Sequence, residues 1–118
     1  MNSTMLKNRT KQFAHRCVRA AMNLPENKLG RHISSQLIRC SSSVAANYRA
    51  VCLAHSKAAF AAKLSIVIDE SDESAFWLEF ALEEKLFTGR QVSPLIKEAT
   101  ELCNIFMSSR KTVNNRNT

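Results

Sequence analysis

The chain has 118 residues, a formal net charge of +7, and only two glycines and two prolines. That length suits one domain around one core, and so few turn residues exclude a strand-rich fold, which must reverse direction every several residues. No apolar run reaches the roughly 18 residues a membrane span needs, and the polar, basic start MNSTMLKNRTKQ lacks the apolar centre of a secretion signal, so no membrane association and a cytoplasmic location are expected.

The first helix is predicted from about Met5 to Asn23, with Phe13, Cys17, Val18 and Ala21 on one stripe. Pro25 ends it, because the residue before a proline is pushed out of the helical region. The second runs from about Lys28 to Ala54, its Ile33, Leu37, Cys40, Val44, Tyr48 and Val51 recurring by threes and fours. Ser56 is a natural N-cap for the third, Lys57 to about Phe87, which keeps Phe60, Leu64, Val67, Ser71, Ser74, Leu78 and Ala81 on one face. Thr88-Gly89 stops that helix, and Ser93-Pro94 is the expected entrance to a fourth that continues to about Arg110, with Leu95, Ala99, Leu102 and Phe106 inward. Four helices with short connections predict an all-α, antiparallel up-down four-helix bundle over residues 1–110. Residues 111–118, KTVNNRNT, are expected to be a polar, frayed tail.

Charge is divided unevenly. Residues 1–63 carry a net +10, residues 64–101 a net −6, and residues 102–118 return +3. The basic first half is a candidate surface for nucleic acid, through Lys7, Arg9, Lys11, Arg16, Arg19 and Arg31. Cys17, Cys40, Cys52 and Cys103 form no C-x-x-C pair and fall among apolar positions, which reads as reduced thiols used as small hydrophobes. The histidines stand far from the acids in sequence, and no glycine-rich phosphate loop is present, so neither enzymatic activity, nor a metal, nor a cofactor is expected.

Two stretches are hard to place in a lone bundle. FWLEFALEEKLF, residues 76–87, has apolar side chains over most of a helical circumference. Phe76, Phe80 and Phe87 point together and Trp77 lies to one side, so Phe76, Trp77, Phe80 and Leu82 are the expected oligomer interface. DESDE, residues 69–73, sets four acids within five residues and needs nearby cations. Antiparallel register about the turn at residues 55–56 brings Arg39 opposite Glu70, or Glu73 one turn away.

The run from residue 39 to 80 resembles the signature of a four-helix-bundle family first named for proteins encoded in intervening sequences of large-subunit ribosomal RNA genes. The matching positions are Arg39, Ser43, Asn47, Ser56, Phe60, Lys63, Leu64, Glu70, Glu73, Trp77, Leu78 and Glu79. Phe13 and the Glu98-x-x-Glu101-Leu102 run also fit, so the resemblance covers most of the chain. One position departs: the acid usual three residues after the asparagine is Ala50 here. The resemblance implies a left-handed bundle that assembles as a ring, commonly a homopentamer, with no enzymatic activity. It also implies kinship with the accessory variability protein of diversity-generating retroelements, a basic pentameric barrel associated with nucleic acid and a reverse transcriptase.

Asn47 falls between Val44 and Tyr48 on a helix that reads as core. A buried amide without a partner costs about 1–3 kcal/mol, so it needs one, and Ser43 and Lys63 are the candidates. Arg39, Ser43, Asn47, Lys63, Glu70 and Glu73 are therefore expected to form a structural polar network that fixes register and assembly. Two functions remain: a homo-oligomeric basic ring binding RNA or DNA without reading sequence, and an adaptor oligomer whose partner is a protein. They differ in whether the cations of the first helix are free or neutralised by the acids of residues 69–84.

Overall fold

The computed structural model describes residues 1–115, which form four helices: α1 (Ser3–Met22), α2 (Lys28–Cys52), α3 (Lys57–Glu83) and α4 (Gly89–Asn115). Each starts where a short polar side chain satisfies free backbone N–H groups. Asn2 accepts from the Met5 N–H at 2.9 Å, Asn27 from the Gly30 N–H at 2.8 Å, and Ser56 from the Ala59 N–H at 3.0 Å.

The entrance to α4 differs from the expected Ser93-Pro94. Thr88 and Gln91 form a reciprocal cap, the Thr88 N–H donating to Gln91 Oε1 at 2.8 Å and the Gln91 N–H to Thr88 Oγ1 at 3.3 Å. The helix therefore begins at Gly89, and Pro94 lies inside it, where its missing N–H removes one bond in the second turn. The end of α3 also comes earlier than Phe87. Lys85 adopts φ 62°, and the Leu86 and Lys85 N–H groups turn back to the carbonyls of Ala81 and Leu82 at 2.9 and 3.0 Å. This left-handed closure satisfies the last carbonyls and turns the chain toward α4. At the other end, residues 111–115 of the expected tail continue α4. The rest of that tail, residues 116–118, lies outside the described residues.

Among the described residues the elements are all helical and form a rod 49 × 21 × 20 Å. Consecutive helices pack extensively, and α1 closes on α4 over a much smaller contact. This is the antiparallel up-down four-helix bundle. Its core includes Phe13 and Cys17 of α1, Ile33, Leu37 and Val44 of α2, Leu64, Val67 and Leu78 of α3, and Leu102 and Phe106 of α4. Burying each large apolar side chain contributes about 1.5–3 kcal/mol. The rings of Tyr48 and Phe106 meet at 5.2 Å across the interior. Three buried hydroxyls are answered within their own helices: Thr10 donates to the Leu6 carbonyl at 2.8 Å, Ser71 to Val67 at 2.7 Å and Ser74 to Glu70 at 2.8 Å, whereas the buried Ser41 Oγ has no hydrogen-bond partner among the described residues.

Candidate functional site

Two outer faces hold most of the sequence-derived candidates. The first lies between α1 and α2. Lys7, Lys11 and His15 recur every four residues along α1 and so share one side of it. They line a groove of about 440 Å³ with Asn8 and Ala14, closed on the α2 side by Ser42, Ala45, Ala46 and Arg49. The small residues Ala14, Ala45 and Ala46 leave the space, and the cations rim it. Lys7, Lys11, His15 and Arg49 are exposed, and the groove contains no acidic residue.

The other expected phosphate contacts are dispersed. Arg16 and Arg19 line a separate depression toward α4 with Phe87, Gln91 and Pro94. Arg31 is exposed at the α1–α2 turn, in a depression that also contains Glu26. Arg9 does not fit the expectation of a free cation. Its Nε and Nη2 donate to the two carboxylate oxygens of Glu98, each at 2.7 Å, and Nη2 also reaches Glu101 at 2.8 Å. The hydrogen bond to Glu98 pushes the guanidinium pKa above its usual range, with smaller contributions from Glu101. Arg9 is thus a clasp across the α1–α4 seam. Within one subunit, among the described residues, Lys7, Lys11, Arg16, Arg19 and Arg31 form no ion pair with the acids of residues 69–84 or any others.

The second face follows the outer seam of α2 and α3. Arg39 Nη1 lies 3.2 and 3.3 Å from the two oxygens of Glu70, its Nη2 meets Glu73, and its Nε reaches Gln36 at 3.4 Å. The hydrogen bond that Arg39 donates to Glu73 is the main reason its pKa is raised. Trp77 Nε1 donates to Glu73 at 3.3 Å, which joins the ion cluster to an aromatic one. In that cluster Trp77 meets His32 edge-on at 5.4 Å, Phe76 at 4.9 Å and Phe80 at 5.9 Å. Phe76 remains 50% exposed, a large apolar surface facing outward.

Three expected members of this face are placed elsewhere. Leu82 lies about 240° round the helix from Phe76 and packs against the core, away from the ring cluster. Phe87 is buried, because the chain has already left the helix at Lys85. Lys63 is exposed and, among the described residues, has no hydrogen bond or ion pair. Asn47 is half-buried at the seam, and its amide donates to the Ser43 carbonyl at 3.0 Å and hydroxyl at 2.8 Å. Its bonds therefore stay within α2, and it does not join Arg39, Glu70 and Glu73 in one network. The family-like polar residues mark an outer face of the bundle.

On the far side, Asp69 and Asp72 are exposed beside Ala75, Ala99, Thr100 and Cys103 in an α3–α4 groove of about 360 Å³. The α1–α2 groove is thus lined by cations and the α3–α4 groove by carboxylates. All four cysteines are free thiols. Burial pushes the Cys17 pKa up to about 12 and raises that of Cys40. Among the described residues no three potential metal ligands come together. No helix there is long and apolar enough to cross a membrane.

Sequence reasoning overlooked His15 and Arg49 as members of the basic groove. His15 was legible as the next four-residue step after Lys7 and Lys11. Arg49 requires the α1–α2 register, which brings the end of α2 beside the start of α1.

These features define an all-α bundle with a basic groove, an acidic groove and an exposed aromatic patch. The chain belongs to the 23S rRNA-intervening sequence protein family, which it matches over residues 3–108. It is similar to a crystal structure from Bacteroides thetaiotaomicron, described as a protein with unknown function from the S23 ribosomal protein family. The two share 29% identity with a TM-score of 0.86, over 94% of this chain and 99% of that one. None of the curated proteins matches this chain.

Proposed function

We propose that this protein is a non-enzymatic, cytoplasmic homo-oligomer that binds RNA or DNA through phosphate contacts without reading base sequence. The observation that carries this reading is the unneutralised positive charge on α1: Lys7, Lys11, Arg16 and Arg19 stand exposed and without ion pairs among the described residues, while the acids lie on other faces. Assembly, commonly pentameric in the family resemblance, multiplies weak contacts into useful affinity. The exposed Phe76, beside Trp77 and Phe80, is the proposed contact between subunits.

The test is binding to a labelled generic RNA duplex and DNA duplex across a salt series. The expected result is a steep loss of affinity as salt rises, since each phosphate contact releases a counterion. Absence of binding at low salt overturns the reading. The alternative, an adaptor oligomer for a protein partner such as a reverse transcriptase, is favoured by the same aromatic patch joined to the Arg39–Glu73 cluster. It gains if nucleic acid fails to bind while Phe76→Ser leaves self-assembly intact.

A further inference from the structure

We infer that the α1–α2 groove holds one run of phosphodiester backbone lengthwise, with Lys7, Lys11 and His15 meeting phosphates at successive helical turns and Arg49 closing on them from α2. The inference rests on the nucleic-acid reading above and assigns that function to one groove and one chemical group.

Lys7, Lys11 and His15 stand at steps of four residues, about 6 Å apart along the helix axis, a spacing comparable to one nucleotide of an extended strand. In the antiparallel pair, Arg49 lies near the Lys7 end and Ser42 near the His15 end. The floor is built from Ala14, Ala45 and Ala46, which offer neither a ring for a base to stack on nor a donor for a base edge. The groove thus meets phosphates chiefly through its cations, with Asn8 and Ser42 as its neutral polar side chains. Arg9, Arg16, Arg19 and Arg31 lie outside it, so they are not part of this contact.

The charged groups around His15 are Lys11 and Arg19 one turn away on α1, Arg16 beside it, Lys7 further along the groove, and Arg49 from α2; α3 and α4 contribute nothing to the groove. No carboxylate in the groove competes with a phosphate for these side chains.

The experiment measures binding of the full chain to oligo(dT) and to an abasic strand of equal length, as a function of salt. Equal affinity for the two strands is expected. Each of Lys7→Gln, Lys11→Gln and Arg49→Gln should flatten the slope of log affinity against log salt by about 0.7 per engaged protomer. Arg31→Gln should leave the slope unchanged. These side chains are exposed, and circular dichroism confirms that each variant is folded. Binding that persists with slopes indifferent to all three groove cations overturns the groove assignment while the broader nucleic-acid reading stands. A loss of oligomer size in sedimentation in the groove variants, with the slope unchanged, also overturns it and makes the groove a contact between copies of the chain. No binding by the wild-type protein overturns both readings.

Discussion

Gly30 lies so close to Pro25 that a Cβ added to it would stand 1.9 Å from the Pro25 carbonyl oxygen. Gly30 is buried in the first turn of α2, where the chain has just folded back from α1. Its φ is not positive, so the requirement is for space and not for a left-handed backbone. Gly30→Ala must push the α1–α2 turn outward. It should lower stability in urea unfolding by roughly 1–3 kcal/mol, the usual cost of forcing a methyl into a filled site.

Lys85 presents the opposite case. It is the non-glycine residue with positive φ among those described, and it sits where helix closures favour glycine. Lys85→Gly removes the strain of a Cβ in the left-handed region, about 1–2 kcal/mol, against an unfolded-state entropy cost of somewhat under 1 kcal/mol. A net gain of up to about 1 kcal/mol is expected in urea or thermal unfolding.

The clasp of Arg9 on Glu98 and Glu101 joins the least extensive helix–helix seam. Arg9→Gln should cost about 1 kcal/mol at low ionic strength and less at high salt, because the pair is only partly shielded from solvent. Arg9→Lys should recover only part of the loss, since an ammonium cannot bridge both Glu98 oxygens in the planar fashion of a guanidinium. Unfolding curves at two salt concentrations separate these outcomes.

Cys17 and Cys40 are enclosed in the core, and both pKa values are raised above the ordinary thiol range, chiefly by burial. A raised thiol pKa means little thiolate, the reactive form, at pH 8. Treatment with iodoacetamide at pH 8 should leave both unmodified in the folded protein and modify both in concentrated urea, as read by peptide mass spectrometry.

Asn47 forms its hydrogen bonds with Ser43 one turn earlier and remains partly accessible. Asn47→Ala should therefore change unfolding free energy by less than about 1 kcal/mol. A much larger loss would restore Asn47 to the role of a core polar anchor.

The inward stripes were legible because they rest on helical period alone. Ile33, Leu37, Cys40, Val44, Tyr48 and Val51 all face the interior, as their spacing predicts. Arg39 meets Glu70 because two helices joined by a tight turn keep equal distances from it, and the same counting sets His32 beside Trp77. Asn47 was misplaced because a helical stripe has edges, and period alone does not tell an edge from its centre. Arg9 was read as a free cation because Glu98 is 89 residues away, and the α1–α4 pairing depends on how the whole bundle closes. Ser93-Pro94 was read as the start signal because a proline is conspicuous, and Thr88 only as a stop, because its reciprocal cap with Gln91 depends on backbone geometry.

The sequential packing of the helices has a kinetic consequence. Most contacts join neighbours in the chain, so little loop entropy must be lost before each hairpin gains its apolar interface. The α1–α2, α2–α3 and α3–α4 pairs can each form early, whereas the seam held by Arg9 must wait for the two ends of the chain to meet. Substitutions at Arg9 should therefore accelerate unfolding while leaving the folding rate nearly unchanged, and those at Leu37 or Leu78 should slow folding. The bundle closes as a belt does, with its buckle fastened last.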